Sequence, residues 1–272
     1  MEADPGIPEL RIVETRALRP HERADASRAS ALARRISQDG CLRNPILALP
    51  LEDGGEWLVL DGANRSEALR TLGLPHALVQ VVRSKNEGLR LGTWNRVVFD
   101  CAPNILLEAL KAMTMMRRRG PGENELEEAI LVVFPDGSQW GVGEAEAGLE
   151  QRLALLHRVL EAGESIGRME RTEARSVAAI EAIFPGLAGL LRFRPFKIEE
   201  VVEAGKRALL FPAGITRFIA SPRALRVNYP LEQLSAGLPT EQKQAELEAW
   251  LAAKVRTRQV RYYPEATYLF DE

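Results

Sequence analysis

Two cysteines, Cys41 and Cys101, and three histidines are all that the 272 residues offer for disulfides or soft metal ligation. The cysteines stand far apart and neither has a Cys-x-x-Cys partner. That excludes a disulfide framework and a zinc site, and it fits a reducing compartment. Nowhere do His, Cys and carboxylates gather at metal-ligand spacing, so no resident metal is expected. No apolar run approaches the roughly 20 residues that span a bilayer. The acidic start Met1-Glu2-Ala3-Asp4-Pro5 lacks the basic end and apolar centre of a signal peptide. A cytoplasmic chain without a membrane partner is therefore expected. Basic excess is missing too: 36 Lys and Arg stand against 38 Asp and Glu, a net charge of −2. This argues against a chain-wide polyanion surface and makes nucleic acid an unfavoured partner.

What is present supports an ordinary α+β protein. With 46 % apolar residues the chain can bury a sizeable core, and its length suits two lobes. Leu10-Arg11-Ile12-Val13 alternates like an edge strand. Residues 27–39 carry a helical stripe, Ala29, Leu32, Ala33 and Ile36, closed by Gly40. Residues 45–49 and 57–60 read as strands, with Glu52-Asp53-Gly54-Gly55 as hairpin chemistry between them. A short helix follows from Ala63 to Leu72, then a strand from Ala77 to Val82. Beyond residue 86 the pattern predicts helices over 103–117, 145–163, 172–183, 197–208 and 240–256. It also predicts a hairpin around Pro135-Asp136-Gly137-Ser138, a break at residues 211–217, and a Tyr-rich strand-like tail. The division expected is residues 1–100 as a nucleotide-binding lobe and 101–272 as a second, mainly helical α+β lobe that contributes substrate-binding loops.

The most informative segment is Val59-Leu60-Asp61-Gly62-Ala63-Asn64-Arg65. An apolar strand stops, a glycine turns the backbone, and a helix starts within two residues. The first amides of that helix lack intrahelical acceptors and carry the positive end of its dipole, which makes an anion site. Arg65 adds a forked cationic donor. Asp61 would repel a phosphate, so it fits better as an orienter of Arg65 or an outer ligand of Mg²⁺. On pattern alone, Asp61 as a simple cap and Arg65 as a solvated residue explain the segment equally well. His76 and His157 read as structural.

Several blocks together carry a resemblance: Pro20-His21-Glu22, Asn44-Pro45-Ile46-Leu47, Leu60-Asp61-Gly62-Ala63-Asn64-Arg65, Gly92-Thr93-Trp94-Asn95, Pro212-Ala213-Gly214-Ile215-Thr216-Arg217, and residues 223–231. Their order and spacing resemble the ParB/sulfiredoxin superfamily, and within it the free L-serine kinases. The resemblance implies a ParB/sulfiredoxin-like first lobe and transfer of a phosphoryl group from ATP or ADP, with Mg²⁺, to the hydroxyl of L-serine. It implies that Gly62, Ala63, Asn64 and Arg65 hold phosphates and that Glu22 accepts the hydroxyl proton. His21 would support Glu22, and Trp94, Asn95, Thr216 and Arg217 would recognise the amino acid. A second copy of the chain is a further candidate partner. One departure stands out: Asn64 occupies the place of the usual histidine, and Asn can donate a hydrogen bond but carries no charge.

Sulfiredoxin chemistry needs a cysteine in this turn, where the chain has Ala63, and is rejected. A ParB-like DNA-binding or transcriptional regulator is an alternative. Against it, only Gly62 and Arg65 match the ParB nucleotide motif, and Arg117-Arg118-Arg119 is the one dense basic cluster. A non-catalytic nucleotide-binding protein is the other alternative, kept open by Asn64.

Overall fold

The computed structural model describes residues 6–51, 55–83, 88–120, 123, 127–144 and 146–263. The first sheet contains β1 (Leu10–Glu14), β2 (Leu18–Pro20), β4 (Ile46–Pro50), β5 (Trp57–Asp61) and β6 (His76–Val81), in the order β1-β6-β4-β5-β2. β4 and β5 pair antiparallel, and β2 runs parallel to β5. Between them lie α1 (Ala26–Asp39), β3 (Cys41–Leu42) and α2 (Ala63–Thr71). α1 starts at Asp25, whose side chain accepts from the Arg28 amide, and ends at Gly40. The expected edge strand, stripe helix, strand pair and turn helix are therefore present. Part of the hairpin turn between β4 and β5 lies outside the described residues.

β7 (Leu89–Thr93) and β8 (Asn95–Phe99) lead into the second lobe. It continues with α3 (Pro103–Met113), β9 (Met116–Arg118), β10 (Glu128–Val133), β11 (Gln139–Glu144), α4 (Leu149–Ile166), β12 (Arg168–Thr172), β13 (Leu187–Phe193) and α5 (Ile198–Lys206). Six of these strands form an antiparallel sheet in the order β12-β8-β13-β10-β11-β9. β14 (Thr216–Ala220) pairs with β7. β15 (Tyr229–Pro230) pairs with β3, and α6 (Leu231–Ser235) and α7 (Thr240–Arg256) close the described chain.

The second lobe thus carries more strand than its sequence pattern predicts. The helix expected over 103–117 ends at Met113, because Thr114 is extended (φ −159°, ψ 156°) and the basic residues pass into β9. The helix expected over 172–183 is instead the end of β12 and one 3₁₀ turn at Val177–Ala179. Its apolar spacing serves a small cluster with Phe99, Ile180 and Leu190, not a helix face. Residues 259–263 hold no regular structure, and the rest of the Tyr-rich tail lies outside the described residues.

The cores explain how the two ends of the chain meet. Leu47, Leu58 and Leu60 on one face of the first sheet join Val98, Leu191, Phe196 and Phe211 in one cluster. The other face packs Ala33, Ile36 and Leu69 together with Tyr229, Leu234 and Leu247 from the C-terminal segment. Residues 221–231 therefore lie across the first lobe, beside the start of α2.

Candidate functional site

The turn at Asp61–Gly62 ends β5 and opens α2, and its geometry follows from Gly62. The backbone there has φ 107°, and an added Cβ would sit 3.1 Å from the Arg65 guanidinium. Glycine is thus needed twice, for the dihedral and for the close approach of Arg65. No side chain caps the helix, so its first amides are left for a ligand. Arg65 donates from Nη1 to the carbonyls of Pro45 (2.5 Å) and Asn44 (3.2 Å), and from Nη2 to Asp61 Oδ2 (2.8 Å). Arg223 donates to the same Asp61 oxygen at 2.5 Å. Burial by itself would raise the Asp61 carboxyl, but the charges of Arg65 and Arg223 overcome it and hold Asp61 below the usual carboxylate range. Two guanidiniums around one carboxylate leave a net positive charge at a helix N-terminus. That is a setting for phosphate.

Asn64 is held through its oxygen. Its Oδ1 accepts from the Asp25 amide at 2.8 Å, which ties the start of α2 to the cap of α1. The oxygen must be the atom facing that donor, so the Asn64 NH₂ group remains available to donate.

His21 is buried between the two lobes. Nδ1 lies 2.6 Å from the Val59 carbonyl and Nε2 lies 2.6 Å from Thr216 Oγ1. A carbonyl can only accept, so Nδ1 carries the proton and Nε2 accepts from the Thr216 hydroxyl. Phe211 and Phe218 flank the ring, with centroids 5.9 and 5.5 Å away. Burial pushes the imidazole below its ordinary value, against the opposing pull of Glu22, the Val59 carbonyl and Asp61, which keeps the ring neutral. Both nitrogens are occupied, so His21 positions its neighbours.

Glu22 is half-buried beside it. Its backbone bridges to Phe211, and its Oε2 accepts from the Gly214 amide at 2.7 Å. The loop before β14 is thereby fixed against the loop after β2. Two arginines enter the same loop from the second sheet. Arg96 donates to the Ala213 carbonyl at 2.7 Å, and the Arg171 guanidinium lies against Gly214, where an added Cβ would come within 2.1 Å of it.

The structure thus brings His21, Glu22 and Thr216 together, with the Asp61–Arg65 turn reached through His21 and Val59. It does not bring Thr216 and Arg217 to one point. They are neighbours on a strand and face opposite sides. Thr216 bonds His21, while Arg217 stacks over the Trp94 ring at 4.6 Å and pairs with Glu173. Asn95 is buried, with its amide donating to the Ala174 carbonyl and accepting from the Phe193 amide. It also lines a cleft of about 240 Å³ with Thr93, Glu173 and Arg175. That cleft includes neither Glu22 nor any residue of the 61–65 turn, and its place away from those donors counts against it as the reaction site. Arg223 and Arg96 are the residues that sequence reasoning left without a role. Arg223 stood inside a recognised block, but only the chain's return across the first lobe reveals its partner. Among the described residues no group of three or more His, Cys, Asp or Glu could hold a metal, and no helix is long and apolar enough to cross a membrane.

This fold is shared with solved free serine kinases. The chain superposes on a C-terminally truncated SbnI from Staphylococcus aureus with a TM-score of 0.73 at 22 % identity, covering 90 % of this chain and 97 % of that one. It superposes on a free serine kinase in complex with AMP with a TM-score of 0.70 at 19 % identity, covering 84 % and 94 %. In sequence it is 24 % identical to the ATP-dependent L-serine kinase SbnI of Staphylococcus aureus over 271 residues, 97 % of either chain. It is 28 % identical over 100 residues to an ATP-dependent L-serine kinase of Staphylothermus marinus, 37 % of this chain and 39 % of that one. No protein-family model matches the chain. The resemblance read from its motifs therefore extends along nearly its whole length.

Proposed function

We propose that the chain is a kinase that transfers the terminal phosphoryl group of ATP to the hydroxyl of free L-serine, giving ADP and O-phospho-L-serine. The observation that carries this reading is a buried, neutral His21 that bonds the strand leading to the net-positive Asp61–Arg65–Arg223 turn on one side and Thr216 on the other, with the Glu22 carboxylate next to it in the chain and bonded to the Gly214 amide. Similarity to proteins named as ATP-dependent L-serine kinases supports the choice of donor and acceptor.

Phosphoryl transfer asks mainly for in-line positioning and charge neutralisation. The amides of Gly62, Ala63 and Asn64, the Asn64 NH₂ and the guanidiniums of Arg65 and Arg223 would hold the phosphates. Asp61 would keep both arginines in place. Glu22 would take the proton as the serine oxygen bonds to the terminal phosphorus and the bond to the ADP oxygen breaks. His21 would hold Glu22's loop against Thr216. Asp61 keeps one oxygen outside its arginine contacts, which suits an ion that rides on the nucleotide and takes one protein carboxylate. Mg²⁺ bound there would neutralise phosphate charge. Residues 1–100 would supply the nucleotide side and residues 101–272 the acceptor side, except that β8 with Arg96 joins the acceptor side through the second sheet. Arg223 belongs to the nucleotide side although it lies late in the sequence.

The ParB-like reading is less well supported. Arg117 of the basic cluster is paired with Glu123 and Glu128, and Arg119 is buried.

The test is incubation with ATP, Mg²⁺ and a panel of free amino acids, followed by mass spectrometry for a phosphorylated product. Phosphoserine should appear, and Glu22→Gln should lower its rate by about 10²–10⁴. Nucleotide consumption that is indifferent to serine would reject the assignment.

A further inference from the structure

The acceptor side has a charge problem of its own. Arg96 and Arg171 are directly opposed across β8 and β12. Like charges in register on adjacent strands destabilise a sheet. Neither forms an ion pair with a described carboxylate. Arg96 is buried, and its Nη1 has no hydrogen-bond partner. A buried guanidinium nitrogen left unpaired is costly. Burial and the neighbouring Arg171 push the Arg96 guanidinium down to about 10. Both side chains close on Ala213 and Gly214, the loop whose amide holds Glu22. Gly214 has φ +64° and no side chain, which is what leaves room for Arg171.

We infer that Arg96 and Arg171 are the specificity residues that receive the α-carboxylate of the acceptor amino acid beside Glu22. The inference rests on the serine-kinase reading and deepens it. A planar carboxylate matches the guanidinium fork and would cancel the like-charge contact. The terminal phosphate is not the anion required here, because the Asp61 turn has its own two guanidiniums. The charges acting most strongly on Asp61 are Arg65, Arg223 and His21, whereas those acting on Arg96 are Arg171, Glu164, Glu22 and Glu170. The two cationic groups are distinct: Arg65 and Arg223 bond Asp61, whereas Arg96 and Arg171 close on the Ala213–Gly214 loop. An acceptor with its hydroxyl at Glu22 would turn its carboxylate toward the arginines. Thr216 and Arg217, the residues first expected to bind that carboxylate, are held by His21 and by Trp94 and Glu173.

The experiment compares L-serine with ethanolamine, which keeps the hydroxyl and ammonium but lacks the carboxylate, in wild type, Arg171→Met and Arg96→Lys. Arg171 is exposed, so its substitution leaves the core intact even if Arg96 variants fail to fold. Wild type should strongly prefer L-serine. Arg171→Met should raise KM for L-serine by about 10- to 100-fold, the loss expected for a charge-assisted bond. KM for ATP and kcat/KM for ethanolamine should be unchanged. Arg96→Lys keeps the charge without the fork and should raise KM for L-serine with KM for ATP unchanged. Equal losses with both acceptors would mean that the arginines only brace Glu22's loop, and would overturn the inference. So would an unaltered KM for L-serine. Wild type that makes no phosphoserine would instead overturn the kinase reading itself, and this inference with it.

Discussion

Arg223→Gln isolates the electrostatic idea behind the phosphate turn. The change keeps a hydrogen-bonding side chain but removes one of the two charges that converge on Asp61 Oδ2. Both guanidinium side chains are about four-fifths buried, 18 % exposed for Arg65 and 20 % for Arg223, so water screens them only partly. Without Arg223 the Arg65–Asp61 pair is neutral overall, and only the helix amides and dipole remain to attract an anion. A hydrogen bond to a charged group contributes about 1.5–3 kcal/mol. Residual exposure reduces that, so the nucleotide Kd should rise by roughly 10- to 100-fold at about 1.4 kcal/mol per decade. Calorimetric titration with ATP, ADP and adenosine checks the reasoning. The loss should be large for ATP and ADP, absent for adenosine, and smaller at high salt, where long-range attraction is screened. The fold should persist, because Asp61 retains Arg65. If Arg223→Gln binds ATP as wild type does, or loses adenosine equally, the argument that the turn depends on surplus positive charge fails.

Gly62→Ala should weaken ATP binding and lower thermal stability, the latter by about 1–2 kcal/mol for a side chain in left-handed backbone, since the added Cβ also presses on a guanidinium held by Pro45, Asn44 and Asp61. Asn64→Ala should lose both the bond to the Asp25 amide and the NH₂ donor proposed for the phosphates, weakening ATP by about 10-fold or more, whereas Asn64→His in its neutral form should retain much of the binding. His76 is pushed below its ordinary 6.5 by burial and then by Lys243, with Glu14 opposing. A depressed histidine stabilises the fold above the unfolded value, and that stability is lost as pH falls below 6.5. Melting temperature should therefore decline more steeply on acidification in wild type than in His76→Gln.

The parts legible in the sequence are those whose causes are local. The α1 stripe, the β4–β5 pair and the Asp61–Gly62 break follow from side-chain period and one glycine, and each needs only a short window. β12 escaped because Arg168-Met169-Glu170-Arg171-Thr172 has no apolar alternation. It is an edge strand, held by backbone pairing with β8. Thr216 and Arg217 were expected, from the resemblance, to recognise the amino acid together, yet adjacency on a strand separates their side chains. Arg96, Arg171 and Arg223 were invisible as site residues because an arginine's environment is set by what arrives from elsewhere in the chain.

That distinction also bears on how the site works. In the proposed kinase the turn at Asp61 would supply an anion site from local backbone, but a local site cannot tell a bound nucleotide from a reacting one. The acceptor side has to be brought to it, and His21 is where the two meet: one nitrogen bonds the strand that leads to Asp61, the other bonds the strand that follows Gly214. A protonated His21 could not accept from Thr216, so the link requires the neutral ring that burial enforces. In the proposed kinase the histidine of the His-Glu pair would therefore matter through the registry of the two lobes, and the proton chemistry would fall to the glutamate beside it.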